Sequence, residues 1–153
     1  MKAVRTLMSL IAFMTLLALT AAGVKADERY GNQKVVYHLN VKGGEKDNAY
    51  RMALRNVQNH VDAVGRDKVN VKVVLHGDGI ELLQHAIDSE PLQMAVTNLK
   101  TQNVQFLVCA NTLEARKIDP DEDLFEVAQE DIVPSGVAEL SHLQQQGYTY
   151  IKP

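Results

Sequence analysis

Three apolar runs of the chain each end on a side chain that can do chemistry. "VVYH" closes on His38, "VVLH" on His76 and "FLVC" on Cys109. Two imidazoles and a thiol are parts for proton transfer, for thiolate attack or for holding a soft metal. Cys109 is the only cysteine, so no disulfide forms within the chain. It also precedes a polar, helix-like segment, "ANTLEARK". Backbone N–H groups at a helix start favour an anion, and a thiolate is an anion. Asn111 and Thr112 are positioned to donate hydrogen bonds nearby, and Arg116 and Lys117 add positive potential. Together these would lower the thiol pKa. The plainer alternative is an inert thiol closing a strand, since free cysteine is among the most buried residue types. His38 and His76 have the matching alternative of hydrogen-bonded packing residues.

Other motifs carry less. "GDG" at Gly77 to Gly79 lacks the spacing of a dinucleotide fingerprint and reads as a tight strand-to-helix turn. There is no P-loop, no H-E-x-x-H and no G-x-S-x-G. The acidic cluster Asp119 to Asp123 lacks calcium-loop spacing and reads as a solvated face. Met52 and Met94 fit helix core positions better than a copper site. His60, His85 and His142 fall on helices as surface or boundary residues. No cofactor and no metal site is assigned. A copper or zinc ion held by His38, His76 and Cys109 stands as the competing reading.

The elements that must position these groups follow from periodicity. Strands are expected at 34–40, 69–76, 104–109, 131–134 and 148–151. Between them, helical spacing covers 45–64, with Ala49, Met52, Ala53, Val57, Val61 and Val64 on one face. Further helices are expected at 80–88, 91–101, 110–117 and 135–146, and one turn at 124–128. Ser135 is a natural N-cap, and Gly65 and Gly147 are natural stops. Strands alternating with helices, and strands apolar throughout, indicate an α/β fold with a mostly parallel sheet and helices on both faces. In such sheets ligands bind at the carboxyl ends of the strands, beside a topological switch point. His38, His76 and Cys109 all stand at such ends. Whether they share a face depends on register and strand order.

The first 26 residues are set apart from the fold. Lys2 and Arg5 form a positive start, Leu7 to Thr20 is uncharged and apolar, and Val24-Lys25-Ala26 offers a small-residue cleavage site. This is the pattern of a secretory signal peptide cleaved after Ala26, too short for a comfortable membrane span. Residues 27–33 read as a flexible lead-in and 34–153 as one domain. Losing Lys2, Arg5 and Lys25 with the signal takes the formal charge from −3 to −6. An acidic domain without a basic stripe argues against nucleic acid and against anionic lipid as partners. The expected location is the periplasm or beyond, with no membrane attachment after cleavage.

The chain resembles the DsrE/DsrF-like sulfur-relay family, and more closely an exported branch of it. The resemblance runs through "KVVYHLN", "VVLHGDGIELL", "FLVCANTLEARKID" and "DIVPSGVAELSHLQQQGYTYIKP", and covers nearly all of 34–153. It implies a three-layer α/β/α sandwich with a five-stranded, mainly parallel sheet, assembled as a trimer or hexamer. It also implies that Cys109, similar in position to the family's acceptor cysteine, takes sulfane sulfur as a persulfide. Sulfur donor and acceptor proteins, or small sulfane-sulfur compounds, are the implied partners. His38, His76, Asn111 and Thr112 are the supporting or binding residues expected beside it. A lone thiol suits this chemistry, because an internal resolving cysteine would release the sulfur early. The alternative is a non-catalytic metal- or small-ligand-binding or assembly protein of the same fold.

Overall fold

A computed structural model describes residues 29–153. The segment read as an export signal, and its cleavage point, lie outside the described residues. Five strands form one sheet: β1 (Gln33–Leu39), β2 (Val69–Leu75), β3 (Gln105–Cys109), β4 (Ile132–Val133) and β5 (Thr149–Ile151). Six α-helices lie among the described residues: α1 (Asn48–Val64), α2 (Glu81–Ala86), α3 (Glu90–Thr101), α4 (Ala110–Arg116), α5 (Pro120–Asp123) and α6 (Gly136–Gln145). The strand order is β4-β3-β2-β1-β5 and every pairing is parallel. The expected α/β/α layering is therefore present. None of the described helices is long and apolar enough to cross a membrane.

Connection direction explains how the two faces are filled. The chain steps from β1 to β4 in one direction along the sheet, and parallel crossovers are almost always right-handed. Steps of one hand in one direction put their helices on one face. That face carries the larger core, where Val35, Tyr37, Val71, Val73, Phe106 and Val108 meet the buried side chains of α1 to α4. The return from β4 to β5 crosses the whole sheet the other way, so α6 alone lies on the opposite face. There Leu140 and Leu143 pack on Val36, Val74, Leu107 and Tyr148. Ser135 caps α6, its Oγ accepting the Ala138 N–H at 3.4 Å.

Several local expectations are corrected. Met52 and Met94 are not core residues, with 55% and 66% of their surface exposed. The buried stripe of α1 instead runs through Tyr50, Ala53, Leu54, Val57, Val61 and Val64. Met52 sits two residues from Tyr50, about 200° around the helix. Met94 lies at the same angle from Leu92 and Val96, which carry the burial of α3. Tyr50 anchors α1 because its hydroxyl donates to the Asp78 carbonyl at 2.7 Å, so the ring is buried with its polar end satisfied. The first helix starts at Asn48, because Lys46 and Asp47 before it have left-handed φ of 49° and 57°. The helical turn expected at 124–128 lies instead at Pro120–Asp123, where Asp119 caps it by accepting the Asp121 N–H at 3.0 Å.

Candidate functional site

Register places the three strand-end residues on one face. Leu75 pairs with Val108, so His76 and Cys109, the next residues, are neighbours across β2 and β3. His38 pairs with Val74, two residues before His76. A step of two along a strand returns to the same face. That face is the one covered by α6. β1 runs one residue past His38 and β2 stops one short of His76, so neither strand ends on its histidine. This offset of two rows lets the rings meet. His38 Nε2 lies 2.6 Å from His76 Nε2, with ring centroids 4.7 Å apart and the planes 23° from parallel.

Cys109 sits at the topological switch point. From β3 the chain turns to α4 on one face, and from the adjacent β4 it turns to α6 on the other. Cys109 pairs with Val133 at this divergence. The starts of both helices therefore point at the sulfur. The backbone N–H of Gly136, the hydroxyl and N–H of Thr112 and the N–H of Asn111 all act on the sulfur in the direction that favours its anion. Burial raises the thiol pKa and is the largest single influence, but these four donors together outweigh it and hold the pKa below its ordinary value of 9.0. The thiol is only 5% exposed, yet its close neighbours are polar donors as well as aliphatic groups.

Each partner has a local cause. Thr112 Oγ1 accepts the Gly77 N–H at 3.1 Å, which leaves its own proton to point at the sulfur. Gly136 is buried where a side chain would be tight: a Cβ there would lie 3.0 Å from His76 Cβ and 3.2 Å from Cys109 Cβ, so its neighbours would have to give by a few tenths of an ångström. The backbone of α6 thus touches both reactive residues at once. Asn111 contributes its N–H, while the residue itself is exposed. Arg116 does not serve the thiol as expected, because its guanidinium is taken by Asp78 at 2.5 Å and Glu81 at 3.2 Å.

The histidine pair continues outward. His38 Nδ1 lies 2.7 Å from the hydroxyl of Tyr150, which is 40% exposed at the sheet edge. Burial, then the neighbouring His76 and Lys152, push the His38 pKa down to about 4. His76 is lowered as well, by burial and then Lys152. Both shifts favour the neutral rings, in which one Nε2 can donate to the other. Sequence reasoning missed Tyr150 and Lys152. Tyr150 joins the site because β5 pairs with β1 and sets it opposite Val36, one step from His38 on the same face.

The remaining histidines are accounted for elsewhere. His60 bridges the Tyr37 hydroxyl at 2.9 Å and Gln33 at 2.7 Å, His85 pairs with Asp47 at 2.7 Å, and His142 with Gln146 at 2.8 Å. Among the described residues no group of three or more His, Cys, Asp or Glu side chains is placed to hold a metal ion.

Thr112→Val tests the electrostatics directly. It keeps the shape, removes the hydroxyl donor from the sulfur and strands the Gly77 N–H. The thiolate titration, followed by ultraviolet absorbance, is expected to move up in pH. Stability should fall by about 1 kcal/mol, the cost of one unsatisfied, partly buried donor. An unmoved titration curve would show that the hydroxyl does not act on the sulfur.

The profile of the DsrE/DsrF-like family matches residues 10–153. A solved structure of a protein of unknown function from Methanobacterium thermoautotrophicum is 31% identical, with a TM-score of 0.65. The match covers 80% of this chain and all of that one. None of the curated proteins matches significantly.

Proposed function

The chain belongs to the DsrE/DsrF-like family, and from that premise we propose that it is a sulfur carrier whose Cys109 holds sulfane sulfur as a persulfide. What supports this reading is the lowered pKa of the Cys109 thiol at the divergence of β3 and β4, which the N–H groups of Gly136, Asn111 and Thr112 and the Thr112 hydroxyl bring about against the opposing effect of burial. A cysteine that only closed the core would need none of them. Such donors stabilise a thiolate, the species that attacks.

The chemistry is a relay without net redox change. The Cys109 thiolate attacks the outer sulfur of a donor persulfide. An S–S bond forms to Cys109, the donor's S–S bond breaks, and the donor leaves as a thiol or thiolate. A partner thiolate then attacks the outer sulfur on Cys109, carries it away and returns the Cys109 thiolate. The positive start, apolar run and A-x-A-like site of residues 1–26 support reading the carrier as an exported protein.

The competing reading, a structural cysteine in an assembly protein, is favoured by the 5% exposure of Cys109. One measurement separates the two. The mature protein is incubated with glutathione persulfide and its intact mass taken. The carrier reading expects a gain of one sulfur atom per chain, removed again when a small thiol acceptor is added. No gain, or a gain that no thiol can remove, would leave the structural reading.

A further inference from the structure

We propose that His38 and His76 form a two-coordinate site for a soft monovalent metal ion, copper(I) or silver(I), held between their Nε2 atoms. The site goes beyond the carrier reading and does not rest on it. Cys109 is not one of its ligands: the groups acting on that sulfur are Gly136, Thr112 and Asn111, and neither imidazole is among them. The two rings alone define the geometry. Their Nε2 atoms are 2.6 Å apart, while their centroids are 4.7 Å apart. Both nitrogens therefore lie between the rings, nearly on the line that joins the centroids. The ring planes are 23° from parallel. The Nε2 lone-pair directions thus oppose each other head to head, and a single proton bridges them as N–H···N. An ion that prefers two ligands in a line can take the place of that proton on the same axis.

The choice of ion follows from what surrounds the pair. Zinc takes four ligands, and among the described residues no further His, Cys, Asp or Glu side chain joins the two rings. Lys152 acts electrostatically on both imidazoles, and its charge repels a divalent ion twice as strongly as a monovalent one. Imidazole nitrogen suits copper, and a linear pair needs no third ligand. Tyr150 prepares one side of the site. His38 Nδ1 lies 2.7 Å from the Tyr150 hydroxyl; donating its N–H there leaves Nε2 bare, as a metal ligand must be. His76 then carries the bridging proton in the ion-free pair. When the ion enters, that proton leaves Nε2 and His76 takes one up at Nδ1, so no net proton is released. Each imidazole nitrogen sits about 2 Å from a first-row metal ion, so the rings must part by about 1.4 Å from their 2.6 Å contact. The strand ends allow this. His38 is held within β1, while His76 lies past the end of β2 and is followed by Gly77 with φ +53°.

The test uses the Cys109→Ser chain, because a thiolate would itself capture a soft ion. Silver(I), and copper(I) without oxygen, are titrated at neutral pH against a chromophoric chelator. One ion per chain is expected. X-ray absorption of the copper(I) form should show two nitrogens at about 2 Å and no sulfur, which separates this site from the exposed methionines. Nitrogen-15 spectra should show the His38 and His76 Nε2 signals moving together. Those of His60, His85 and His142, which are hydrogen-bonded elsewhere, should stay in place. Adding His38→Gln should abolish the binding. Adding Tyr150→Phe should weaken it about 10–100-fold, the usual worth of a partner that orients a ligating histidine. Tyr150 sits at the exposed edge and Phe keeps its ring, so this variant and the spectra decide the matter even where His38→Gln folds poorly. A Cys109→Ser chain that takes no ion would overturn the site. So would sulfur in the metal's shell, or an affinity that neither added variant changes. Persulfide loading of the wild-type chain is read separately, so either idea can fail while the other stands.

Discussion

Cys109→Ala is expected to take up no sulfur from any persulfide donor, under conditions where the wild-type chain gains one sulfur atom. The loss should be complete because no second thiol exists to substitute for the first. Sulfur bound to the alanine variant would place the chemistry elsewhere and end the carrier reading. Cys109→Ser adds a thermodynamic test of the same site. The hydroxyl accepts hydrogen bonds from the same donors but does not ionise. The folded thiol pKa lies below the unfolded value of 9.0. A depressed acid stabilises the fold where it is ionised. That contribution is fully present above the unfolded pKa and is lost as pH falls through the folded one. The stability gap between wild type and Cys109→Ser should therefore widen as pH rises through that window, then level off. Urea unfolding at a series of pH values measures it. A gap that stays flat, or narrows toward alkaline pH, would mean the donors do not favour the thiolate.

The parts of this site were legible in the sequence to different depths. The strand ends were readable to within one residue, because the apolar runs that stop at His38, His76 and Cys109 mark boundaries that fall at Leu39, Leu75 and Cys109. Their common face was not. Parallel strands are joined by long crossovers, and no hairpin turn fixes which residue of one strand meets which of the next. Strand order was hidden for a related reason. Nothing in "GYTYI" says that β5 pairs with β1 instead of β4, yet this pairing puts α6 alone on the site's face and Tyr150 beside His38. The alternation of Tyr148 and Tyr150 about Thr149 was the one available hint, and it falls in a strand of three residues. The methionines failed differently. Met52 fits a helical stripe drawn through Ala49 and Ala53, but Tyr50 fixes the true phase once its hydroxyl finds the Asp78 carbonyl. Periodicity supplies the angle between residues, and a polar contact from another element decides which face is in.

Gly79→Ala is expected to cost about 3 kcal/mol or more, among the largest effects available from a single methyl group. Its neighbour in "GDG" shows why the two glycines are not equivalent. Gly77 has φ +53° and open space around its missing side chain, so alanine there meets only backbone strain, worth about 1 kcal/mol. Gly79 has no left-handed φ, so alanine would suit its conformation and gain as much as 1 kcal/mol from a stiffer unfolded chain. Space decides against it. A Cβ would lie 2.1 Å from the Leu39 carbonyl oxygen, 2.5 Å from its carbon and 2.9 Å from the Asn40 nitrogen. These are backbone atoms at the end of β1, and the Leu39 carbonyl is held in place by the His76 N–H at 3.2 Å. No rotamer relieves such contact, so the strand end or the turn must move. Either movement separates His38, one residue before Leu39, from His76, three residues before Gly79. Urea unfolding should show the loss of stability. A Gly79→Ala protein within 1 kcal/mol of wild type, with Gly77→Ala the weaker of the two, would show that the turn does not press on β1 and that the histidine pair is held by something else.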